Sequence, residues 1–303
     1  MKSLLHSEGK MKFDKIVSVD YTGIDEFVHN ELKELCNNLI IYNDFPKSQE
    51  EIINRCKDAD AILVSWNTPI TDLIIKSLPK LKYIGMCCSL YDEASSNVNI
   101  KQAKEQGIVV KGVMHYGDNG VVEFIFSELI RLFKGIGEVQ YRDEQIELED
   151  INLGIIGYGT VGKMVADTGK FFSMNISYYN RTKKDNIIYE YKPLEKLLRE
   201  SDVISTHLPR HTVVLNKKEF EQLGNGKVLI NTGLTPSFEL DAFDQWINNK
   251  GNYAIFDSVS VTKEFKTKYQ SYKNVIMCDK VTGFTKNARR RLAYKVIENI
   301  KTI

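Results

Sequence analysis

Six residues, Gly157-Tyr158-Gly159-Thr160-Val161-Gly162, have the spacing by which a backbone can take hold of a diphosphate. The first glycine permits a tight turn, the second lets main chain approach a pyrophosphate, and the third lets a helix pack closely on a strand. Amides at the start of that helix then face the phosphates. The elements this chemistry needs are present in order. An apolar run at 153–156 precedes the glycines, a helical pattern follows them, and a second apolar run, "NISYYN", comes next. A bare glycine-rich turn is the alternative, but it would not require that register. The reading is dinucleotide binding through residues 157–162.

The end of the second strand decides which dinucleotide. An acidic residue there would accept a hydrogen bond from the 2′-hydroxyl of NAD. The sequence instead has Asn180-Arg181-Thr182-Lys183-Lys184, three cations within four residues and no carboxylate to repel a 2′-phosphate. Arg181 offers a planar fork suited to phosphate, with Thr182 and Lys183 beside it. The expectation is NADP(H) in preference to NAD(H); an exposed basic turn is the competing reading.

A different stretch raises a question. "GKVLINTGLTPSFELD" (226–241) reads as a buried strand opening into a polar loop at Asn231-Thr232-Gly233. Strand ends of this kind usually carry the chemistry of α/β proteins, yet no ionisable side chain occurs between Val228 and Glu239. Nothing in that wall can pair with a charged substrate.

The whole chain frames these stretches. It has 303 residues, too many for one core, so two domains are expected. With 43% hydrophobic and 27% charged residues the composition is that of a globular protein, and a net charge of +1 argues for neither nucleic acid nor anionic membrane. No apolar run approaches the ~18 residues of a membrane span, and the first residues lack the apolar core of a signal peptide. Cys36, Cys56, Cys87, Cys88 and Cys278 show no C-x-x-C spacing, which suggests a reducing cytoplasm; no metal site is expected. The adjacent Cys87 and Cys88 read as buried thiols. Strands are expected at 15–20, 61–66, 82–87 and 107–110, and again at "NLGIIG", "NISYYN", "DVISTHL", "KVLIN", "NYAIFD" and "NVIM". Helical patterns lie between them, as at 24–36 and 99–106. This alternation predicts α/β architecture with parallel sheets covered on both faces. A long helix is expected over 119–133, followed by a polar segment at 135–150. In the last helix Ala288, Leu292, Val296 and Ile300 recur at i+4, while Arg289–Arg291 reads as a solvated face.

At this point the chain resembles the D-isomer-specific 2-hydroxyacid dehydrogenases over nearly its whole length. The likeness rests on "LPKLKYIG" and "NIKQAKEQGIVV", on "VVE" at 121–123, on "ELEDINLGIIGYGTVGK", and then on "SDVISTHLP", "GKVLINTG", "IFD" and "NVIMCDKVTGFT" in order. It implies a Rossmann-type cofactor domain (119–284) inserted into a flavodoxin-like substrate domain (1–118, completed by 285–303). A cleft between the two, a small-molecule substrate and a homodimer are implied as well, with hinges near 117–120 and 283–286. By the same likeness His207, Leu208 and Pro209 lie at the cofactor, as do Thr232 and Asp257; packing is the other role open to His207.

The family's three catalytic residues are all replaced. Its carboxylate-binding Arg falls at Leu234, its Glu, five residues after Asp257, at Thr262, and its general-acid His at Lys280. A lysine ammonium can donate a proton to a developing alkoxide or pair with an anion, which favours reduction; a surface lysine without a role is the alternative. Arg210 can supply an anion clamp and His115 a substrate contact or acid. His6 and His29 carry no motif. The function implied is NADPH-dependent reduction of a carbonyl compound. The alternatives are a non-catalytic NADP(H)-binding relic used in sensing or assembly, and a 2-hydroxyacid enzyme with relocated residues.

Overall fold

In the computed structural model, residues 13–24 and 28–303 are described, so His6 lies outside them. The chain divides into two compact units. One comprises 1–116 with 286–303, the other 117–285.

The first unit is a five-stranded parallel sheet. Its elements run β1 (Phe13–Ser18), α1 (His29–Glu34), β2 (Cys36–Ile41), α2 (Gln49–Arg55), β3 (Ala61–Val64), α3 (Asp72–Lys76), β4 (Tyr83–Met86), α4 (Ile100–Glu105) and β5 (Val109–Lys111). The strand order is β2-β1-β3-β4-β5, the flavodoxin-like order. Side chains alternate between its faces. Val17, Ile62 and Ile84 pack with Ile52 of α2, Ile74 of α3 and Ala103 of α4, whereas Ile16, Leu63 and Tyr83 pack with Leu32 of α1. The latter layer also receives the last helix of the chain.

The second unit opens with α5 (Asp118–Lys134) and continues through β6 (Asn152–Ile156), α6 (Thr160–Phe171), β7 (Asn175–Tyr179), β8 (Glu190–Tyr191), α7 (Leu194–Glu200), β9 (Val203–Thr206), α8 (Lys217–Leu223), β10 (Val228–Asn231), α9 (Leu240–Ile247), β11 (Tyr253–Phe256), α10 (Lys263–Tyr269) and β12 (Val275–Met277). All pairings are parallel, in the order β12-β11-β10-β9-β6-β7-β8. Strand order reverses between β6 and β9, the topological switch point of a Rossmann sheet. Val228 and Ile230 pack with α5 and α6, while Leu229 faces the aromatic cluster of Phe238, Phe243, Phe256 and Phe265.

Helix α11 (Lys286–Lys301) returns to the first unit. Ala288, Leu292, Val296 and Ile300 are buried on one stripe, joined by Ala293 and Ile297. Its polar edge is not wholly solvated, contrary to the sequence reading. The Arg291 guanidinium donates to the Tyr116 carbonyl (2.8 Å), Lys295 to that of Met114 (2.9 Å), Asn299 to that of Gly112 (3.0 Å), and Arg289 to the Tyr21 hydroxyl (3.2 Å).

Two strands differ from the sequence expectation. The helical pattern drawn to residue 36 stops at Glu34, and Cys36–Ile41 forms β2. That strand lies at a sheet edge and pairs only with β1; Asn37 and Asn38 stay exposed, so its apolar run is confined to Leu39, Ile40 and Ile41. Strand β8, two residues at the opposite kind of edge in the other sheet, is too short to leave one.

Candidate functional site

The glycine turn joins β6 to α6. Gly157 has φ 95°, in the region closed to most side chains, and a Cβ there would lie 2.3 Å from the His207 carbonyl oxygen. A Cβ on Gly162 would lie 2.2 Å from the Gly157 oxygen, so helix and turn touch through backbone. A Cβ on Gly159 would meet nothing within 4 Å. Two glycines are thus required by contact and the middle one faces open space, beside the exposed Thr160 and half-buried Val161 of the twelve-residue α6. This is the arrangement a diphosphate needs, and the residues fit that group.

The segment after β7 is tied to the same turn. The Asn180 side-chain oxygen accepts from the Tyr158 N–H (2.7 Å), and the Lys184 ammonium donates to the Tyr158 carbonyl (2.8 Å). The Tyr158 ring is buried between Tyr178 and Tyr189, with centroids at 5.0 and 6.1 Å, and burial pushes its phenol pKa up. Arg181, Thr182 and Lys183 are exposed, and the Lys183 ammonium lies 6.0 Å from the centre of the Tyr191 ring.

The remaining candidates of this unit follow the carboxyl ends of β9 to β12. His207 faces back into the sheet. Its Nε2 lies 2.9 Å from the Ser205 hydroxyl, and burial lowers its pKa to about 4, so the ring is neutral at pH 7. Half-buried Leu208 and exposed Pro209 follow it. Beyond β10, Asn231 is buried and organises the next loop. Its Oδ1 accepts from Thr206 (2.9 Å) and from the Ser237 N–H (3.1 Å), and its amide donates to the Thr235 carbonyl (3.2 Å). Thr232 is nearly buried beside it, and Leu234 is 40% exposed at the loop's crest. Exposed Arg210 precedes His211, whose N–H donates to the Thr235 hydroxyl (2.9 Å).

Asp257, at the end of β11, is buried with both carboxylate oxygens engaged inside the unit. One accepts from the Val259 N–H (2.7 Å), the other from the Thr282 hydroxyl and N–H (2.7 and 3.2 Å). It therefore pins the loop that carries Lys280. The Ser258 N–H donates to the Lys280 carbonyl (3.3 Å), and the Lys280 side chain is exposed. Thr262 caps α10, its hydroxyl accepting from the Phe265 N–H (3.2 Å).

Strand β9, which leads to Arg210, and β12, which leads to Lys280, are three sheet steps apart, about 14 Å at the usual strand spacing. His115 belongs to the other unit, exposed and left-handed (φ 57°), on the segment that Arg291, Lys295 and Asn299 hold. Two lysine contacts escaped the sequence reading. Lys266 donates to the Ser258 hydroxyl (3.1 Å), beside the Lys280 loop, and Lys184 grips the glycine turn. Neither spacing signals the contact, because both bonds depend on how loops return.

A parallel sheet with its switch point at this glycine turn defines a dinucleotide-binding Rossmann domain. Comparison with known proteins gives the particular family. The family profile described as D-isomer specific 2-hydroxyacid dehydrogenase, NAD binding domain, matches residues 132–278. A hydroxypyruvate reductase of Blautia hydrogenotrophica is 27% identical over 83% of this chain and 84% of its own. A glyoxylate reductase of Korarchaeum cryptofilum is 27% identical over 85% and 83%. Among solved structures, an acyclic imino acid reductase (Bsp5) in complex with NADPH and D-Arg superposes with a TM-score of 0.80 at 26% identity, covering 95% of this chain and 96% of that one. NAD+-bound 3-phosphoglycerate dehydrogenase of Entamoeba histolytica gives 0.74 at 25% identity, covering 95% and 94%. Residues 132–278 belong to the NAD-binding domain of the D-isomer specific 2-hydroxyacid dehydrogenase family, and the chain as a whole is similar to that family's members.

Proposed function

We propose that the protein is an NADPH-dependent reductase of a small C=O or C=N compound. The observation that carries this reading is an intact dinucleotide turn to which the exposed basic run 181–184 is tied through Asn180 and Lys184; the family likeness supports reading Leu234, Thr262 and Lys280 as standing where its Arg, Glu and His do. The cofactor supplies hydride from its nicotinamide; the rest is asked of the chain. Residues 157–162 bind the diphosphate, and Arg181, with Thr182 and Lys183, binds the 2′-phosphate. Asn180 supports this preference, since its side-chain oxygen is occupied by the Tyr158 N–H and it brings no negative charge. One charge-assisted hydrogen bond is worth about 1.5–3 kcal/mol, hence roughly ten- to hundred-fold in affinity.

Lys280 is the proton donor in this reading, with Arg210 and His115 as anion or substrate contacts. A positioned donor contributes ~10²–10⁴-fold. An imine weakens that demand, because a protonated C=N is already electrophilic when it reaches the site. The NADPH-bound imino acid reductase among the similar structures supports including that class. The family likeness supports a homodimer. The test is a screen of NADPH oxidation against 2-oxo acids, alone and with added amines. Turnover with either class supports the reading. Tight NADPH binding with no turnover would favour a binding protein, a reading that Thr262 supports by serving as a helix cap where the family keeps a carboxylate.

A further inference from the structure

We infer that Lys184 is the cation of the diphosphate site, distinct from the 2′-phosphate reader Arg181. The inference rests on the dinucleotide reading of residues 157–162. Lys184 lies four residues beyond Asn180, yet its ammonium does not stay with the basic run. It turns back to donate to the carbonyl of Tyr158, the residue between Gly157 and Gly159. That peptide is held at both ends, since Asn180 accepts from its N–H at 2.7 Å. The Lys184 main chain is pinned too, its carbonyl accepting from the Tyr178 hydroxyl at 3.1 Å. The bond places a positive charge beside the turn whose middle glycine faces open space.

A second lysine stands nearby on the first turn of α6, but its charge is already matched. Lys163 pairs with Asp167 at 2.5 Å, and Asp167 also accepts from the Tyr189 hydroxyl at 2.8 Å. Among the described residues Lys184 has no carboxylate partner. One of its three N–H donors is used on Tyr158, and two remain for a ligand oxygen. A diphosphate carries its charge whether the adenosine ribose bears a hydroxyl or a phosphate. Lys184 therefore strengthens NADPH, NADH and ADP-ribose binding alike, whereas Arg181 strengthens only ligands with a 2′-phosphate.

The experiment is calorimetric titration of the full chain and of Lys184→Gln, Lys184→Arg and Arg181→Ala with NADPH, NADH, ADP-ribose and 2′,5′-ADP, at low and high salt, with thermal melting alongside. Lys184→Gln keeps a donor but removes the charge. It is expected to bind NADH and ADP-ribose about ten-fold more weakly at low salt, with the difference shrinking at high salt, and Lys184→Arg is expected to retain affinity. Arg181→Ala is expected to lose NADPH affinity and keep that for ADP-ribose. A loss in Lys184→Gln confined to NADPH and 2′,5′-ADP would overturn the assignment in favour of a second 2′-phosphate contact. A loss insensitive to salt and matched by a lowered melting temperature would reduce Lys184 to a structural tie, and no loss would make it a bystander. Wild-type protein that binds none of the four ligands would instead remove the dinucleotide reading itself.

Discussion

Lys280 and His207 show how differently two residues at strand ends can be read. Lys280 is exposed on a loop that Asp257 fixes through Thr282, so its backbone is placed while its ammonium is free to turn. If it donates the proton, Lys280→Met should lower the rate of NADPH oxidation at least ten-fold and leave NADPH affinity unchanged; full activity would dismiss it. His207 is a half-buried base whose desolvation depresses its pKa to about 4, and the unfolded chain takes up its proton near 6.5. The stability this group contributes is complete above about pH 6.5 and is lost as pH falls toward 4, up to about 3 kcal/mol. Denaturation of wild type and His207→Gln across that window measures it; equal slopes would refute the buried neutral imidazole. The glycines were legible in the sequence because each has its own steric task. Asp257 was not: its partner Thr282 lies 25 residues away, and only the packed loops reveal that its carboxylate is occupied.

At the scale of elements, the carboxyl ends of β9, β10 and β11 are closed by short polar side chains. Asn231 joins two loops and Thr262 starts a helix. Replacing Thr262 with Ala should cost about 1 kcal/mol by loss of the cap, seen as a lower denaturation midpoint with unchanged cofactor affinity. The contact of α6 with the turn is stricter. In Gly162→Ala the new methyl would press on the Gly157 carbonyl, whose place is set by the sheet. A destabilisation of ~1–3 kcal/mol and a marked loss of dinucleotide affinity are expected; a variant that binds normally would show the turn to be adaptable. Buried strands and long helices announced themselves through apolar runs. Strand β8 did not, because two residues at a sheet edge carry little apolar surface, and in β2 the apolar run is only Leu39, Ile40 and Ile41, behind the exposed Asn37 and Asn38.

For the molecule as a whole, the sequence conveyed two α/β units and a cofactor domain, since alternation of strands and helices and the family likeness both act over long stretches. The substrate stayed hidden, because the positions that would name it hold Leu234, Thr262 and Lys280. Cofactor choice is the property to test at this scale: in Arg181→Ala the preference for NADPH over NADH should fall by roughly ten-fold or more, and equal affinities in the wild type would refute it. The return of α11 has a consequence for synthesis. The second unit is one uninterrupted run of chain, 117–285, and can fold as soon as it leaves the ribosome. The first unit is discontinuous: the face bearing Leu63 and Tyr83 is covered partly by Leu292, Val296 and Ile300, which are made only after 117–285. That part of its apolar surface therefore lacks its cover until the second unit has been made.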